Sequence, residues 1–166
     1  MASITFKGSP ISTVGDLPEV GSSAPDFSLV DGALKACGLG DFPGNKVLNI
    51  FPSIDTGICA ISVRTFNEKA NSLSNATIIN VSMDLPFAQK RFCGSENLDN
   101  VTNLSAFRSS FADDYGVKMT EGPLQGLCAR SVLVLDQDNV VRYAELVPEI
   151  AQEPDYDSAL SSLASL

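Results

Sequence analysis

The sequence contains no histidine. Without an imidazole, the chain has no Ser-His-Asp or Cys-His catalytic pair, and no zinc site with histidine ligands. It also lacks an apolar run of about 18 residues, the length of a membrane-spanning helix. Its first residues have neither the basic region nor the apolar region of a signal peptide. We therefore expect a cytoplasmic protein whose chemistry works without histidine.

Positive charge is scarce as well. The chain has 11 Lys and Arg residues against 20 Asp and Glu, a net charge of −9. Nucleic-acid binding depends on Lys and Arg contacts to phosphates, and anionic membranes attract basic segments, so we expect no nucleic-acid and no membrane partner. The 166 residues are 44% hydrophobic, which suits one globular domain over 1–166 with a sizeable core.

The four cysteines form no C-x-x-C pair. They lie far apart in the sequence, at Cys37, Cys59, Cys93 and Cys128. The sequence therefore contains neither a zinc-ribbon motif nor a dithiol redox motif. In a reducing compartment the default is four free thiols, and a disulfide is more often transient and catalytic than structural. No residue pattern in the chain predicts a metal site or a cofactor.

Strand and helix patterns alternate along the chain. An N-terminal hairpin is predicted over 3–7 and 11–14, followed by strands at 27–30, 47–51, 76–83, 131–135 and 140–147 and helices at 57–73, 86–93, 104–115 and 154–166. The run at 47–51 is apolar apart from one asparagine, as in a strand buried on both faces. This order predicts a three-layer α/β/α domain with a mixed central sheet and an added N-terminal β-hairpin.

The stretch 52–59 joins the buried strand to a predicted helix. Cys59 therefore lies in a first helical turn, where unpaired backbone N–H groups and the helix dipole stabilise a thiolate. Position alone fits a reactive thiolate and a small buried cysteine equally well. Since the chain has no histidine, an activated Cys59 needs the helix terminus or a nearby Arg or Lys.

Three blocks of sequence carry a family resemblance. Thr56-Gly57-Ile58-Cys59 occupies the place where thioredoxins have C-x-x-C, with threonine instead of the first cysteine. Together with Pro52 it gives P-x-x-x-T-x-x-C, which resembles the active-site signature of the peroxiredoxins. The blocks DLPFAQKRFCG at 84–94 and GPLQGL at 122–127 resemble the bacterial thiol peroxidase branch of that family. The similarity covers nearly the whole chain.

The resemblance implies a thioredoxin-like fold and an enzyme that reduces hydrogen peroxide and organic hydroperoxides. It also implies thioredoxin as the reductant and a homodimer. Cys59 takes the position of the peroxidatic cysteine and Cys93 that of the resolving cysteine, which implies an intramolecular Cys59–Cys93 disulfide. Thr56 and Pro52 take the positions that orient the peroxide and shield the thiolate, and Arg130 that of the active-site arginine.

The residue types suit this chemistry, although each has a simpler explanation. A thiolate that attacks a peroxide becomes a sulfenic acid, which condenses with a second thiol, and arginine suits the charge that develops. Taken alone, Arg130 predicts a surface or structural ion pair and Thr56 a plain N-cap. Cys37 and Cys128 match no motif and are predicted to be packing residues.

Two other functions stay open for the protein. One is a protein thiol–disulfide oxidoreductase, which the threonine in place of the first cysteine disfavours, and the other is a non-catalytic redox sensor.

Overall fold

The computed structural model describes residues 1–73 and 75–166. Within them the strands are β1 (Ser3–Phe6), β2 (Ser9–Ser12), β3 (Leu29–Val30), β4 (Ala36–Cys37), β5 (Asn45–Ile50), β6 (Ala76–Ser82), β7 (Thr102–Ser105), β8 (Ser131–Leu135) and β9 (Val141–Leu146). The helices are α1 (Gly57–Ala70), α2 (Pro86–Glu96), α3 (Phe111–Asp114) and α4 (Tyr156–Ala164), with a 3₁₀ turn at Leu39–Asp41.

Strands β3 to β9 form one sheet in the order β4-β3-β7-β6-β5-β8-β9, and β1 pairs with β2 in a separate hairpin. The sheet is mixed, because β5, β6 and β7 run parallel while β8 is antiparallel to β5. This confirms the predicted mixed sheet and N-terminal hairpin. Parallel strands end at one edge of a sheet. Ile50, the last residue of β5, pairs with Ser131, the first residue of β8, so the segment before β8 reaches the same edge.

The sheet is covered on both faces. Leu48 of β5 packs with Phe111 of α3, whereas its neighbour Val47 packs with Phe66 of α1 and Leu163 of α4. Successive residues of a strand point to opposite faces, so the neighbours Val47 and Leu48 bury apolar side chains on both faces of β5. The three-layer arrangement follows from this double burial.

The predicted helix over 104–115 is wrong. Thr102–Ser105 forms β7, which pairs in parallel with the end of β6 and buries Leu104. Only Phe111–Asp114 is helical. Pairing with a strand more than 20 residues earlier in the chain decides the conformation here, and local propensity does not record such a partner.

Helix α2 extends beyond its predicted end. It continues through Gly94 to Glu96 and ends at Asn97, which adopts a left-handed conformation with φ of 54°. Asparagine tolerates this conformation better than most residues, so it ends helices in the way glycine does. The consequence is that Cys93 lies within the last turn of α2. In the described part of the chain no helix is long and apolar enough to cross a membrane.

Glu149 fixes the N-terminal hairpin to the rest of the molecule. Its carboxylate accepts hydrogen bonds from the hydroxyl of Thr5 at 2.7 Å and from the backbone N–H groups of Lys7, Gly8 and Ala151 at 3.0 to 3.1 Å. The backbone of Thr5 also exchanges hydrogen bonds with the segment 148–150. The hairpin therefore lies against the chain that follows β9.

The hydrogen bonds to Glu149 make a pH-dependent contribution to stability. They lower the pKa of Glu149 from 4.5 to about 2, with the Ala151 N–H as the largest cause and the Thr5 hydroxyl as the next. Because the pKa is lower in the folded state, this stabilisation is present above the unfolded pKa and is lost as the pH falls toward the folded pKa. We expect Glu149→Gln to be less stable than wild type at pH 7, by a margin that shrinks between pH 4.5 and 2. Denaturant unfolding at several pH values measures the margin, and a constant margin would contradict the assignment.

Candidate active site

Cys59 lies in the first turn of α1 and is fully buried. The helix begins after Thr56, whose backbone is extended, with φ of −102° and ψ of 148°. The Thr56 side chain makes no capping hydrogen bond; its hydroxyl donates to the carbonyl of Ser53 at 3.0 Å. Thr56 is therefore the N-cap residue by its position, but the interpretation that its side chain caps the helix is wrong. The first-turn N–H groups have no side-chain cap from Thr56, and the positive end of the helix acts directly on Cys59.

Arg130 is the charged partner of Cys59. It immediately precedes β8, is only 1% exposed, and its Nη2 donates to the sulfur of Cys59 at 3.3 Å. Its Nε donates to the carbonyl of Ile150 at 2.9 Å, and its Nη1 has no hydrogen-bond partner within the described residues. Among the ion pairs of the described residues, none includes Arg130. The alternative interpretation as a structural ion pair is thus wrong.

A cavity of about 300 Å³ lies beside Arg130. Four separate parts of the chain line it, and most of the lining side chains are apolar: Phe6, Lys7, Pro52, Thr56, Gly57, Ile58, Leu124, Arg130, Ile150 and Ala151. The cavity suits a small molecule with an apolar body and a polar end near the guanidinium. The hairpin residues Phe6 and Lys7 form part of its wall, which no local sequence signal indicates.

Cys93 lies on α2 and is half-buried. It packs against an apolar cluster that contains Cys59 together with Phe51, Ile54, Val63 and Leu98. Burial raises the pKa of the Cys93 thiol, and a hydrogen bond from Asn103 opposes that effect. The structure therefore brings the two thiols of the resemblance to one cluster, and both are free.

The other two cysteines lie elsewhere. Cys128 is fully buried in the main core cluster with Ile50 and Val81, and burial raises its pKa to about 12. The sulfur of Cys37 lies 3.7 Å from a carboxylate oxygen of Asp31, and burial, followed by the charge of Asp31, raises its pKa. Thiols that stay protonated are poor nucleophiles, so both positions agree with packing roles.

We expect Cys37→Ala and Cys128→Ala to retain, near the wild-type value, the peroxide-reducing turnover that the resemblance implies, because neither sulfur packs in the Cys59 cluster. Cys128→Ala should lower the free energy of unfolding by about 1 kcal/mol through lost core packing. A reductant-coupled peroxidase assay and denaturant unfolding check the two parts. Loss of recycling in Cys128→Ala with an intact first turnover would instead make Cys128 the resolving thiol.

Asp84 supports the site and is a residue that sequence reasoning missed. Its carboxylate accepts hydrogen bonds from the hydroxyl and backbone groups of the active-site loop, at 2.7 Å from Ser53 Oγ and 2.7 Å from the N–H of Ile54. Ser82 Oγ, at the end of β6, also donates to it at 2.6 Å. Asp84 thus ties the loop before α1 to the neighbouring strand. Its position directly after a buried strand is the signal that could have identified it.

A buried thiol at a helix start, an arginine at its sulfur and a second thiol on a neighbouring helix, all on a thioredoxin-like sheet, are the features of peroxiredoxins. Comparison with known proteins agrees. The Redoxin family model matches residues 19–160. The thiol peroxidase of Mycobacterium tuberculosis is 56% identical over 166 residues, covering 99% of this chain and 100% of that protein. The thiol peroxidase of Corynebacterium glutamicum is 52% identical and covers 98% and 99%.

Solved structures show the same relationship. A peroxiredoxin-like protein from Aquifex aeolicus superposes with a TM-score of 0.93 at 38% identity, covering 99% of this chain and 97% of that one. A thiol peroxidase from Chromobacterium violaceum gives a TM-score of 0.92 at 26% identity, with the same coverage. The chain belongs to the Redoxin family. Its activity is that of a peroxiredoxin, the reduction of peroxides.

Proposed function

We propose that Cys59 is the peroxidatic cysteine and that Arg130, Thr56 and Pro52 form its peroxide site. The observation that carries the proposal is the 3.3 Å contact between Arg130 Nη2 and the sulfur of Cys59, inside a buried site. A guanidinium keeps its charge at every physiological pH. Together with the start of α1 it stabilises a thiolate, the nucleophilic form of cysteine.

The first half-reaction oxidises Cys59. Its thiolate attacks the terminal oxygen of the hydroperoxide, an S–O bond forms as the O–O bond breaks, and the sulfur loses two electrons. The alkoxide or hydroxide that leaves takes up a proton to give an alcohol or water. Negative charge moves from the sulfur to the leaving oxygen, and the unpaired Nη1 of Arg130 is the donor that can follow it. The Thr56 oxygen, whose own proton is directed at Ser53, accepts from the peroxide O–H, and Pro52 closes the wall.

The second half-reaction uses Cys93 as the resolving cysteine. Its thiolate attacks the sulfenic sulfur of Cys59, an intramolecular S–S bond forms as the S–O bond breaks, and the hydroxide that leaves takes up a proton to give water. Thioredoxin then reduces the disulfide and becomes oxidised itself. Packing of Cys93 against the cluster that holds Cys59 supports this assignment. A disulfide requires Cα atoms within about 7 Å, so the start of α1 and the end of α2 must adjust before the bond forms.

We further propose a cytoplasmic homodimer. Three large apolar side chains, Leu85, Phe87 and Phe107, are 49%, 64% and 40% exposed and follow the adjacent ends of β6 and β7. Exposed apolar groups that lie together are typical of protein contacts, and sedimentation equilibrium tests the dimer. Thiols that cycle through a transient disulfide suit a reducing compartment.

The experiment that tests the two cysteine roles is rapid-quench peroxide reduction with thiol-trapping mass spectrometry. We expect Cys93→Ser to complete one turnover, to accumulate the sulfenic acid of Cys59, and to lose thioredoxin-dependent turnover by at least about tenfold, ~1.4 kcal/mol. Cys37→Ser is the matched control, since it removes a thiol outside the Cys59 cluster. Full recycling in Cys93→Ser would assign resolution to another thiol.

A further inference from the structure

Three asparagines lie side by side on the parallel strands. Asn49 of β5 is opposite Asn80 of β6, which is opposite Asn103 of β7. Asn49 Nδ2 donates to Asn80 Oδ1 at 2.9 Å, and Asn80 Nδ2 donates to Asn103 Oδ1 at 3.1 Å. Asn49 and Asn80 are fully buried. Burying amides costs free energy unless they are hydrogen-bonded, and an apolar row would pack at these positions without that cost.

This asparagine row (Asn49, Asn80 and Asn103) connects the sulfur of Cys93 with the backbone of Cys59. At one end, Asn103 Nδ2 donates to the sulfur of Cys93 at 2.9 Å. At the other end, Asn49 Nδ2 donates to Ser62 Oγ at 3.3 Å, and that hydroxyl donates to the carbonyl of Cys59 at 2.8 Å. From Asn49 to Asn80, then to Asn103 and on to Cys93, each amide N–H donates to the next group along the row. Hydrogen bonds in such a chain polarise one another, and each amide fixes the orientation of the next.

We propose that Asn103 is a positioning residue for the resolving step, which holds the Cys93 sulfur through an N–H···S hydrogen bond while Asn80 and Asn49 set the orientation of its amide. The inference rests on the proposed role of Cys93. Since Oδ1 of Asn103 accepts from Asn80, its N–H side faces the sulfur. A donor at sulfur favours the thiolate. The thiolate therefore forms on α2 before it leaves Asn103 to attack the sulfenic sulfur, where the S–S bond replaces the S–O bond and water is released.

The carboxylates near Cys93 do not supply this assistance. Burial raises the pKa of Cys93, and two carboxylates, Asp99 and Glu96, raise it further. The charged side chains that face Cys93 or line the same groove are Glu96, Asp99, Asp31 and Lys90. Strand β7 contributes no ionisable residue. On that side of the sulfur, the amide of Asn103 is the group that favours the anion.

The test is the pH dependence of Cys93 alkylation by iodoacetamide in the Cys59→Ser background, where the Cys59–Cys93 disulfide cannot form, with modified peptides quantified by mass spectrometry. Asn103→Leu has similar size without the donor. It should move the alkylation midpoint to higher pH and slow alkylation near pH 7 by about twofold to tenfold, the effect of one lost hydrogen bond. Asn103→Asp, which carries an anion beside the sulfur, should move the midpoint further in the same direction.

Asn80→Leu interrupts the row without touching Cys93 and should shift the midpoint upward by a smaller amount. A merely structural role gives the opposite sign, because a loosened α2 exposes Cys93, removes the effect of burial and lowers the midpoint. An unchanged or lowered midpoint in both Asn103 variants would overturn the proposal. Circular dichroism verifies folding, and Asn103→Asp serves if Asn103→Leu does not fold.

The same variants separate this inference from the proposed function. In the protein with Cys59 intact, rapid quench at several pH values measures disulfide formation, and Asn103→Leu should shift its midpoint in the same direction as alkylation. If Cys93→Ser recycles normally, the role of Cys93 is wrong, and with it any role of Asn103 in resolution. If Cys93→Ser fails to recycle but Asn103→Leu leaves both midpoints unchanged, only the inference about Asn103 is wrong.

Discussion

Cys59→Ser is expected to reduce peroxide at least about a thousandfold more slowly than wild type, a loss of ~4 kcal/mol in transition-state stabilisation. A serine hydroxyl is a weak nucleophile unless a neighbouring base takes its proton, and the chain has no histidine. The partner of Cys59 is a guanidinium, which cannot act as a base. The arrangement that activates a thiolate therefore does nothing for an alcohol.

The measurement is peroxide consumption in a single turnover without reductant, which isolates the step at Cys59 from recycling. Cys37→Ser is the matched control, because the same substitution at a thiol outside the Cys59 cluster should leave the rate unchanged. Thermal unfolding verifies that both variants fold. If Cys59→Ser kept a rate within tenfold of wild type, the nucleophile would have to be another residue.

Arg130→Met is expected to slow the same step by about tenfold to a thousandfold, the usual effect of removing a donor aimed at developing charge. Methionine has a similar length but donates no hydrogen bond. The variant loses the contact of Nη2 with the sulfur of Cys59. The variant also loses Nη1, the donor that has no hydrogen-bond partner within the described residues. It also leaves the carbonyl of Ile150 without the Nε bond, which costs roughly 1–3 kcal/mol of stability.

Two further variants test whether the effect on the rate is specific to the guanidinium of Arg130. Arg130→Lys keeps the charge but not the fork of donors, so its rate should lie between those of wild type and Arg130→Met. Arg142→Met removes an arginine of β9 that pairs with Asp136 at 2.7 Å and should leave the rate unchanged. A wild-type rate in Arg130→Met would return Arg130 to a structural role.

The parts of the fold that could be predicted are those recorded in short stretches of sequence. The run 47–51 indicates a strand buried on both faces, and the structure confirms it with Val47 and Leu48 in clusters on opposite faces. The helix after Thr56 follows from its apolar spacing. β7 could not be predicted, because its four residues become a strand only beside β6, and nothing within 102–105 records that partner.

The candidate site likewise has parts that could be predicted from the sequence and parts that could not. Cys59 and Thr56 are identified by one motif, and their helix-start geometry follows from it. The contact between Arg130 and the carbonyl of Ile150, the cavity wall formed by Phe6, and the asparagine row depend on the register of strands distant in sequence. A single sequence does not show which residues of distant strands lie opposite each other. A lone asparagine in a strand therefore looks like any other polar residue in an apolar run.

The burial of Arg130 has a further consequence, for the charge balance of the interior. In the proposed mechanism, the fixed cation of Arg130 lies against the Cys59 thiolate of the reduced enzyme. Oxidation makes the sulfur neutral, and the cation is then left without a counter-ion, a condition that costs several kcal/mol when it occurs away from water. Opening the start of α1 hydrates the guanidinium and relieves that cost. In the proposed cycle, the oxidation state of one sulfur atom would thereby select between a closed site suited to a small peroxide and an opened one that presents the disulfide to a protein reductant.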